Sequence, residues 1–415
     1  MIIAGIIAEY NPFHNGHLYQ LDTMREQIRP DVVVVVVSGD FLQRGEPALV
    51  SKWVRTRMAL QADVDLVVEL PYVFAVGKAD VFARGAVTIL NRLGVNRLFF
   101  GSECGRIEPF LNTFSLINEN QEVYDTQLAQ AMARGISYPN AHAAAYRFIS
   151  KKHTQELVDL TLPNNSLAFQ YIRAIHQCDS DMIPMTLRRK QSEHNDQSFT
   201  KNAPIASASS IRLHLLKGQS LCEIADKLPE YVIAELDSVK EAHDFASWER
   251  FFPFLKYKLL SSSSKQLAQI YEMEEGIEHR LLSSIRVSRS FNEFISLVKT
   301  KRYTWSRLQR LAAHTLTNTL KEQAKQIALH GEPDSIRLLG MNLKGQAYLA
   351  DIRKKVEIPL LSKIRSHRSI MLDIDVKASQ IYDYLTNTNH LPMDFTETSH
   401  PPIRYDEKNR RFLNE

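Results

Sequence analysis

The chain has 415 residues, 44% of them hydrophobic and 24% charged, with a formal net charge of +4. That is too long for one ordinary domain and apolar enough to fill real cores, so two or three domains are expected rather than a disordered chain. Cys104, Cys178 and Cys222 lie far apart with no CxxC pair, which excludes a disulfide scaffold and a structural zinc pattern and points to a reducing compartment.

Residues 2–8 (IIAGIIA) read as a buried strand, followed by a tight polar turn and a helix from about His17 to Ile28. No charged segment precedes the first apolar residues, so a signal peptide is not expected. The run Val32–Val37 is far too short to span a membrane and reads as a strand buried on both faces. A cytoplasmic protein without membrane partners is the expectation. Then follow a loop SGDFLQRGEPALVSKW, a helix near 54–62, strand 66–70, helix 79–93 and strand 97–101. Strands alternating with helices predict an α/β fold with a doubly wound parallel sheet. Ligands in such sheets sit beyond the carboxyl ends of the strands. Polar residues gather at those ends: Glu9 to His17, Ser38-Gly39-Asp40, Glu69-Leu70-Pro71 and Gly101-Ser102-Glu103.

From about 108 to 153 the pattern turns helical. LPNNSLAFQYIRAI (162–175) opens another helix that Asn164 or Asn165 can cap. MIPMTL (182–187) reads as a strand ending in Arg188-Arg189, before a polar loop over 191–202 and a helix starting at SASSIR, 207–212. Residues 220–390 read as mostly helical and the last twenty as loosely held. The expected division is a catalytic α/β domain over 1–220 and a basic helical domain over 221–415.

Two elements carry phosphate chemistry. In NPFHNGH, His14 and His17 flank Gly16 where a helix begins. A helix N-terminus offers unpaired N–H groups and the positive end of a dipole, glycine permits close backbone approach, and imidazoles can donate to phosphate oxygens. A plain strand–helix corner with surface histidines is the alternative, but the motif follows the first strand of the alternating pattern. In SASSIR, Ser209, Ser210 and Arg212 offer a second such start. Asp40 and Glu103 could orient a substrate or hold Mg²⁺ around the phosphates, and Asp40 reads equally as a helix or loop cap. Lys52, Arg55 and Arg57 face either the site or solvent, and Cys104 reads as inert. From Phe294 to Lys321 there are six lysines or arginines. A helix from 304 would set Arg307, Arg310 and His314 on one side, opposite Trp305, Leu308, Ala312 and Leu316. Lys299, Lys301, Arg302, Arg307 and Arg310, interleaved with Tyr303 and Trp305, are the expected RNA-binding residues.

The His-x-Gly-His motif resembles that of the nucleotidyltransferase superfamily, which includes class I aminoacyl-tRNA synthetases and small adenylyltransferases. The chain lacks the lysine-bearing loop of the synthetases and runs about two hundred residues past the serine element. AEYNPFHNGH, SGDFLQRGEPA, FGSE, PNNSLAFQYI, Arg188-Arg189, SASSIR and TKRYTWSRLQR occur in this order, and the set resembles the bacterial tRNA(Met) cytidine acetate ligase family. The resemblance implies activation of acetate by ATP as acetyl-adenylate, releasing pyrophosphate. It implies acetyl transfer to N4 of the wobble cytidine in elongator tRNA(Met), with Mg²⁺ accompanying ATP. It also implies an ATP-binding stretch comprising Ile7, Ala8, Glu9, Tyr10, Asn11, Pro12, Phe13, His14, Asn15, Gly16, His17, Leu18, Tyr19 and Gln20. Gly101 would lie against the nucleotide, with Asn164 or Asn165 and Arg188 or Arg189 completing the pocket. His14, His17, Ser209, Ser210 and Arg212 would be the catalytic set. A small-molecule adenylyltransferase and a non-catalytic RNA-associated protein are the rival readings.

Overall fold

A computed structural model describes residues 1–136, 138–151, 154–189, 205–242, 245–364, 367–386 and 396–413. Its sheet is built from β1 (Ile3–Ala8), β2 (Val32–Ser38), β3 (Leu66–Leu70), β4 (Arg97–Ser102), β5 (Ile183–Arg188), β6 (Ile336–Asn342), β7 (Leu360–Leu361), β8 (Ile403–Asp406) and β9 (Arg411–Phe412). The order is β5-β4-β1-β2-β3-β6-β8-β9, with β7 on β6. The first five strands are all parallel, as the alternating pattern requires.

The valine run explains the two cores. Successive side chains of a strand point to opposite faces. Val32, Val34 and Val36 enter the core on one face of the sheet, and Val33, Val35 and Val37 the core on the other. Ile6 on β1, Val67 on β3 and Phe99 on β4 join the second core, while Leu66, Val68, Leu98 and Phe100 join the first. β4 and β2 flank β1 on opposite sides, so chain order reverses beside β1. The turn leaving β1 therefore stands at the switch point where such sheets bind ligands.

The helices that frame the site are α1 (Asn15–Ile28), α2 (Lys52–Gln61), α3 (Pro163–Gln177), α4 (Ala208–Leu216), α5 (Trp248–Leu260), α6 (Trp305–Leu316) and α7 (Ile370–Thr386). The sheet crosses the boundary expected after residue 220. β6 pairs antiparallel with β3, and β8 pairs with β6. IRLLGMN (336–342) is a short apolar run amid helical patterns, and periodicity cannot separate a fully buried strand from a buried helical segment. Residues 403–412 are likewise not loose: Ile403–Asp406 sits in the sheet and pairs with Arg411–Phe412.

Lys52 and Arg55 do not face solvent; both are fully buried. Arg55 donates to the carbonyls of Glu9, Ser38 and Gly39, holding the ends of β1 and β2 together. The Lys52 ammonium meets Glu69 of β3 at 2.8 Å and Ser379 of α7 at 2.9 Å, and also pairs with Glu397. Arg337 of β6 pairs with Glu397 and lies 3.5 Å from Glu69. Arg57 pairs with Glu235 at 2.9 Å and covers the Phe412 ring. Among the described residues, no helix is long and apolar enough to cross a membrane.

Candidate active site

His14 is the N-cap of α1, and its Nδ1 accepts from Gly16 N at 2.9 Å. His17 Nδ1 in turn accepts from His14 N at 3.3 Å, completing a reciprocal cap. A neutral imidazole whose Nδ1 accepts must carry its proton on Nε2. Both rings therefore keep one N–H for an external acceptor, and they stack with centroids 3.9 Å apart. Burial, reinforced by the Arg189 and Arg212 charges, pushes the His14 imidazolium down to about 3. Burial, then His14 and Arg189, holds His17 well below its ordinary range. The pair is thus neutral at physiological pH, two oriented N–H donors rather than two cations.

The turn carrying them is fixed from several directions. Asn11 Oδ1 accepts from Leu49 N at 2.7 Å, and Arg212 donates to Asn11 O at 2.9 Å. Tyr10 and Phe13 are buried at 2% and 0% exposure, and Leu18 and Tyr19 pack against the same core. Within the stretch from Ile7 to Gln20, these side chains build the turn, which leaves backbone and imidazoles to face a ligand.

The second wall is the start of α4. Ser207 caps it by accepting from Ser210 N, and the Ser210 hydroxyl returns to Ser207 O at 2.8 Å. Ser210 is therefore locally satisfied, whereas Ser209 is exposed, with its Oγ 3.4 Å from Arg212. Ser207, outside the expected catalytic set, is the cap. Arg212 also pairs with Glu46 at 3.0 Å. A Cβ on Gly16 would lie 3.4 Å from Ile205, so the N-termini of α1 and α4 converge. Two positive dipole ends then face one volume.

The third wall separates the paired candidates. Asn165 is 2% exposed, and its side chain accepts from Cys104 N and donates to Asp159 O. Asn164 accepts from Arg189 at 2.6 Å and donates to Glu103 at 2.7 Å. Arg189 lies across Gly101, where a Cβ would come within 2.9 Å of its Cγ, and its charge reaches both histidines. Arg188 packs on Gly105 instead. Arg189 is thus the arginine whose charge reaches the histidines, and Asn164 is the asparagine bonded to it.

The carboxylates offered for Mg²⁺ are committed elsewhere. Glu103 accepts from the amides of Asn164 and Asn165, capping α3. Asp40 accepts from Lys52 N and from the Ser379 hydroxyl. Among the described residues no cluster of three His, Cys, Asp or Glu could hold a metal ion. A protein-held Mg²⁺ does not fit these donors.

The basic helix departs from expectation. Arg310 of α6 is 7% exposed and its Nε–H is shared between the two Glu272 carboxylate oxygens, each at 3.1 Å, and His314 is fully buried. Arg307 pairs with Glu274 and stacks on Tyr303, and Arg302 pairs with Glu275. The face read as open positive charge is largely inside the protein, and only Lys299, Lys301 and Arg302 are exposed. One cation escaped the sequence reading. Arg44 is exposed on the 40–48 loop and, among the described residues, has no hydrogen-bond or ion-pair partner.

A parallel sheet with a reciprocal histidine cap at its switch point, faced by a serine–arginine helix start, defines a nucleotidyltransferase. The family model described as HIGH Nucleotidyl Transferase matches residues 1–397. A curated tRNA(Met) cytidine acetate ligase of Bacillus subtilis (strain 168) is 47% identical over the full length of both chains. A namesake from Bacillus velezensis is 44% identical, again over both full lengths. The crystal structure of Thermotoga maritima TmcAL in its apo form superposes with a TM-score of 0.90 at 32% identity, covering 97% of this chain and 99% of that one. A second form of that protein, bound with alpha-thio ATP, gives a TM-score of 0.89 at 31% identity and the same coverage. The chain belongs to the tRNA(Met) cytidine acetate ligase family of HIGH nucleotidyltransferases.

Proposed function

We propose that this chain activates acetate with ATP and passes the acetyl group to N4 of the wobble cytidine of elongator tRNA(Met). The observation that carries the first step is the pair of neutral, Nε2-protonated histidines set between two converging helix N-termini. An acetate oxygen attacks the α-phosphorus, the bond to the β-phosphate bridging oxygen breaks, and pyrophosphate leaves. No proton changes hands in that step, so donors are needed and a general base is not. His14 and His17 donate to the phosphate oxygens on one side; Ser209 and Arg212 stabilise charge on the other. Arg189 and Asn164 flank the nucleotide over Gly101. We assign Mg²⁺ to the nucleotide's own phosphates rather than to a protein carboxylate.

In the second step the N4 amine attacks the acyl carbon, AMP departs and the amine loses one proton. Holding a mixed anhydride beside the amine supplies much of this rate. We assign catalysis to residues 1–220 and RNA holding to the helices beyond 221, in the cytoplasm, where ATP and tRNA occur. Support comes from the full-length relatives that carry the ligase name. Incubation with ATP, Mg²⁺, labelled acetate and bulk tRNA tests the whole reading. Label should appear in RNA as N4-acetylcytidine, and label confined to a small phosphate ester would sink it.

For the RNA contact, exposure favours Lys299, Lys301 and Arg302 over Arg307 and Arg310. The variant Lys299→Glu/Lys301→Glu should weaken tRNA binding and flatten the slope of log affinity against log salt by roughly 1 per lysine. tRNA-independent pyrophosphate release should not change. An unaltered salt slope would remove both lysines from the interface.

A further inference from the structure

The loop bearing Arg44 is more tightly built than a surface loop requires. Leu42 N donates to Glu46 O at 2.9 Å, Gly45 N to Leu42 O at 2.8 Å and Ala48 N to Asp40 O at 2.9 Å. On one side of Arg44, Gln43 N donates to Glu9 Oε1 at 2.8 Å. On the other, Glu46 pairs with Arg212. Glu9 follows β1 and Arg212 lies on α4, so the turn sits between these two elements, and the Arg44 charge reaches Glu9 and Arg189 there.

The turn is braced from the second half of the chain. Gly45 has φ +79°, and a Cβ there would lie 2.3 Å from Arg310 N and 2.4 Å from the Gln309 carbonyl carbon. The Trp248 indole of α5 donates to Gly45 O at 3.0 Å. Arg310 is itself locked by Glu272. The Ser-Arg-Leu-Gln-Arg segment of α6 thus lays its backbone against this turn.

We propose that Arg44 is a further anion-contacting residue of the acetate-activation step, on a turn that α6 holds in place. This rests on the acetate-ligase reading above. The chemistry fits: Arg44 is an arginine fork that makes no ion pair, and its charge reaches the buried Glu9 carboxylate and a second guanidinium, Arg189, whose ionised form is disfavoured first by burial and then by Arg44. Two neighbouring guanidiniums suit a bound oxyanion, and arginine matches both phosphate and carboxylate geometry. The oxyanion is either the triphosphate of ATP or the carboxylate of acetate. The Arg307–Arg310 part of the basic segment then serves the first chemical step through backbone packing, while the exposed Lys299, Lys301 and Arg302 remain for the RNA.

Acetate-dependent ATP–pyrophosphate exchange without tRNA tests this with the full chain and the variants Arg44→Ala, Arg44→Lys and Gly45→Ala. Arg44→Ala should lose about tenfold to a hundredfold in exchange, with Arg44→Lys between it and wild type because charge remains without the fork. A raised KM for ATP names the triphosphate, and a raised KM for acetate names the carboxylate. Gly45→Ala should reproduce the Arg44→Ala loss while tRNA affinity holds. Wild-type exchange and both KM values intact in Arg44→Ala, or a loss in tRNA binding alone, would overturn the contact. Unchanged exchange in Gly45→Ala would overturn the brace. A wild-type protein that shows no exchange with acetate would instead overturn the reading beneath it.

Discussion

Replacing His17 with alanine is expected to lower acetate-dependent ATP–pyrophosphate exchange by about 10²- to 10³-fold, the usual cost of one oriented oxyanion donor. tRNA affinity should be unchanged, because His17 lies on α1 beside His14 and far in sequence from the exposed lysines. Alanine also removes the acceptor for His14 N, so loss of the cap would mix with loss of the donor. Two further variants separate them. Asparagine places its amide near the position of Nδ1 and can keep the cap, whereas glutamine reaches the position of Nε2 and can keep the external donor. His17→Asn should therefore stay folded and inactive, and His17→Gln should recover part of the rate. His17→Asn with wild-type exchange would show that the cap, not the donor, is what the reaction needs.

The same pair fixes a pH dependence. Both imidazoles titrate below their ordinary range, His14 at about 3, because burial and nearby guanidiniums oppose the cation. The exchange rate should therefore show no inflection near pH 6.5 from either histidine. Stability follows with a definite sign. Between the folded value and the unfolded value near 6.5, the unfolded state binds more protons, so stability falls as pH drops below about 6.5. Urea midpoints measured from pH 7.5 to 4.5 should decline in wild type and decline less in His14→Asn.

What could be read before the fold was known depended on how local the physics is. The valine run disclosed a doubly buried strand because both faces of β2 pack within a few residues' reach. His14, Gly16 and His17 were legible because this reciprocal helix cap spans only four consecutive residues. Arg310 misled because its acid partner Glu272 lies 38 residues upstream, beyond any window in which charge is counted. Glu103 read as a possible Mg²⁺ ligand because the amides it caps are 61 and 62 residues on. Asn165 differs from Asn164 only in its rotation about α3, which sends one side chain inward to Cys104 and the other toward Arg189. Arg44 stood inside a quoted motif, yet only the brace on Gly45 distinguishes it from an ordinary loop cation.

Lys52→Met is expected to be the most destabilising single change outside the site, at about 3–5 kcal/mol, the range for stripping one partner from a buried ion pair. The side chain is fully buried and its Nζ meets Glu69, Ser379 and Glu397, the last 345 residues away in sequence. Burial disfavours the ammonium, but the facing Glu397 and Glu69 carboxylates outweigh it and hold it charged. Methionine of similar length would leave Glu69 facing Arg337 alone and remove the tie between β3, α7 and the Thr396–Thr398 turn. Ion pairs of this kind need not stabilise relative to an apolar replacement of the whole group, so the double variant discriminates. Lys52→Met/Glu397→Gln should recover part of the loss, because it removes one of the two carboxylates left to share Arg337. Amide exchange in Ile403–Asp406 should quicken in the single variant, since β8 follows the turn that carries Glu397. Urea denaturation showing less than about 1 kcal/mol lost in Lys52→Met would mean that α7 and β8 are held by apolar packing, with the ionic cluster adding only register.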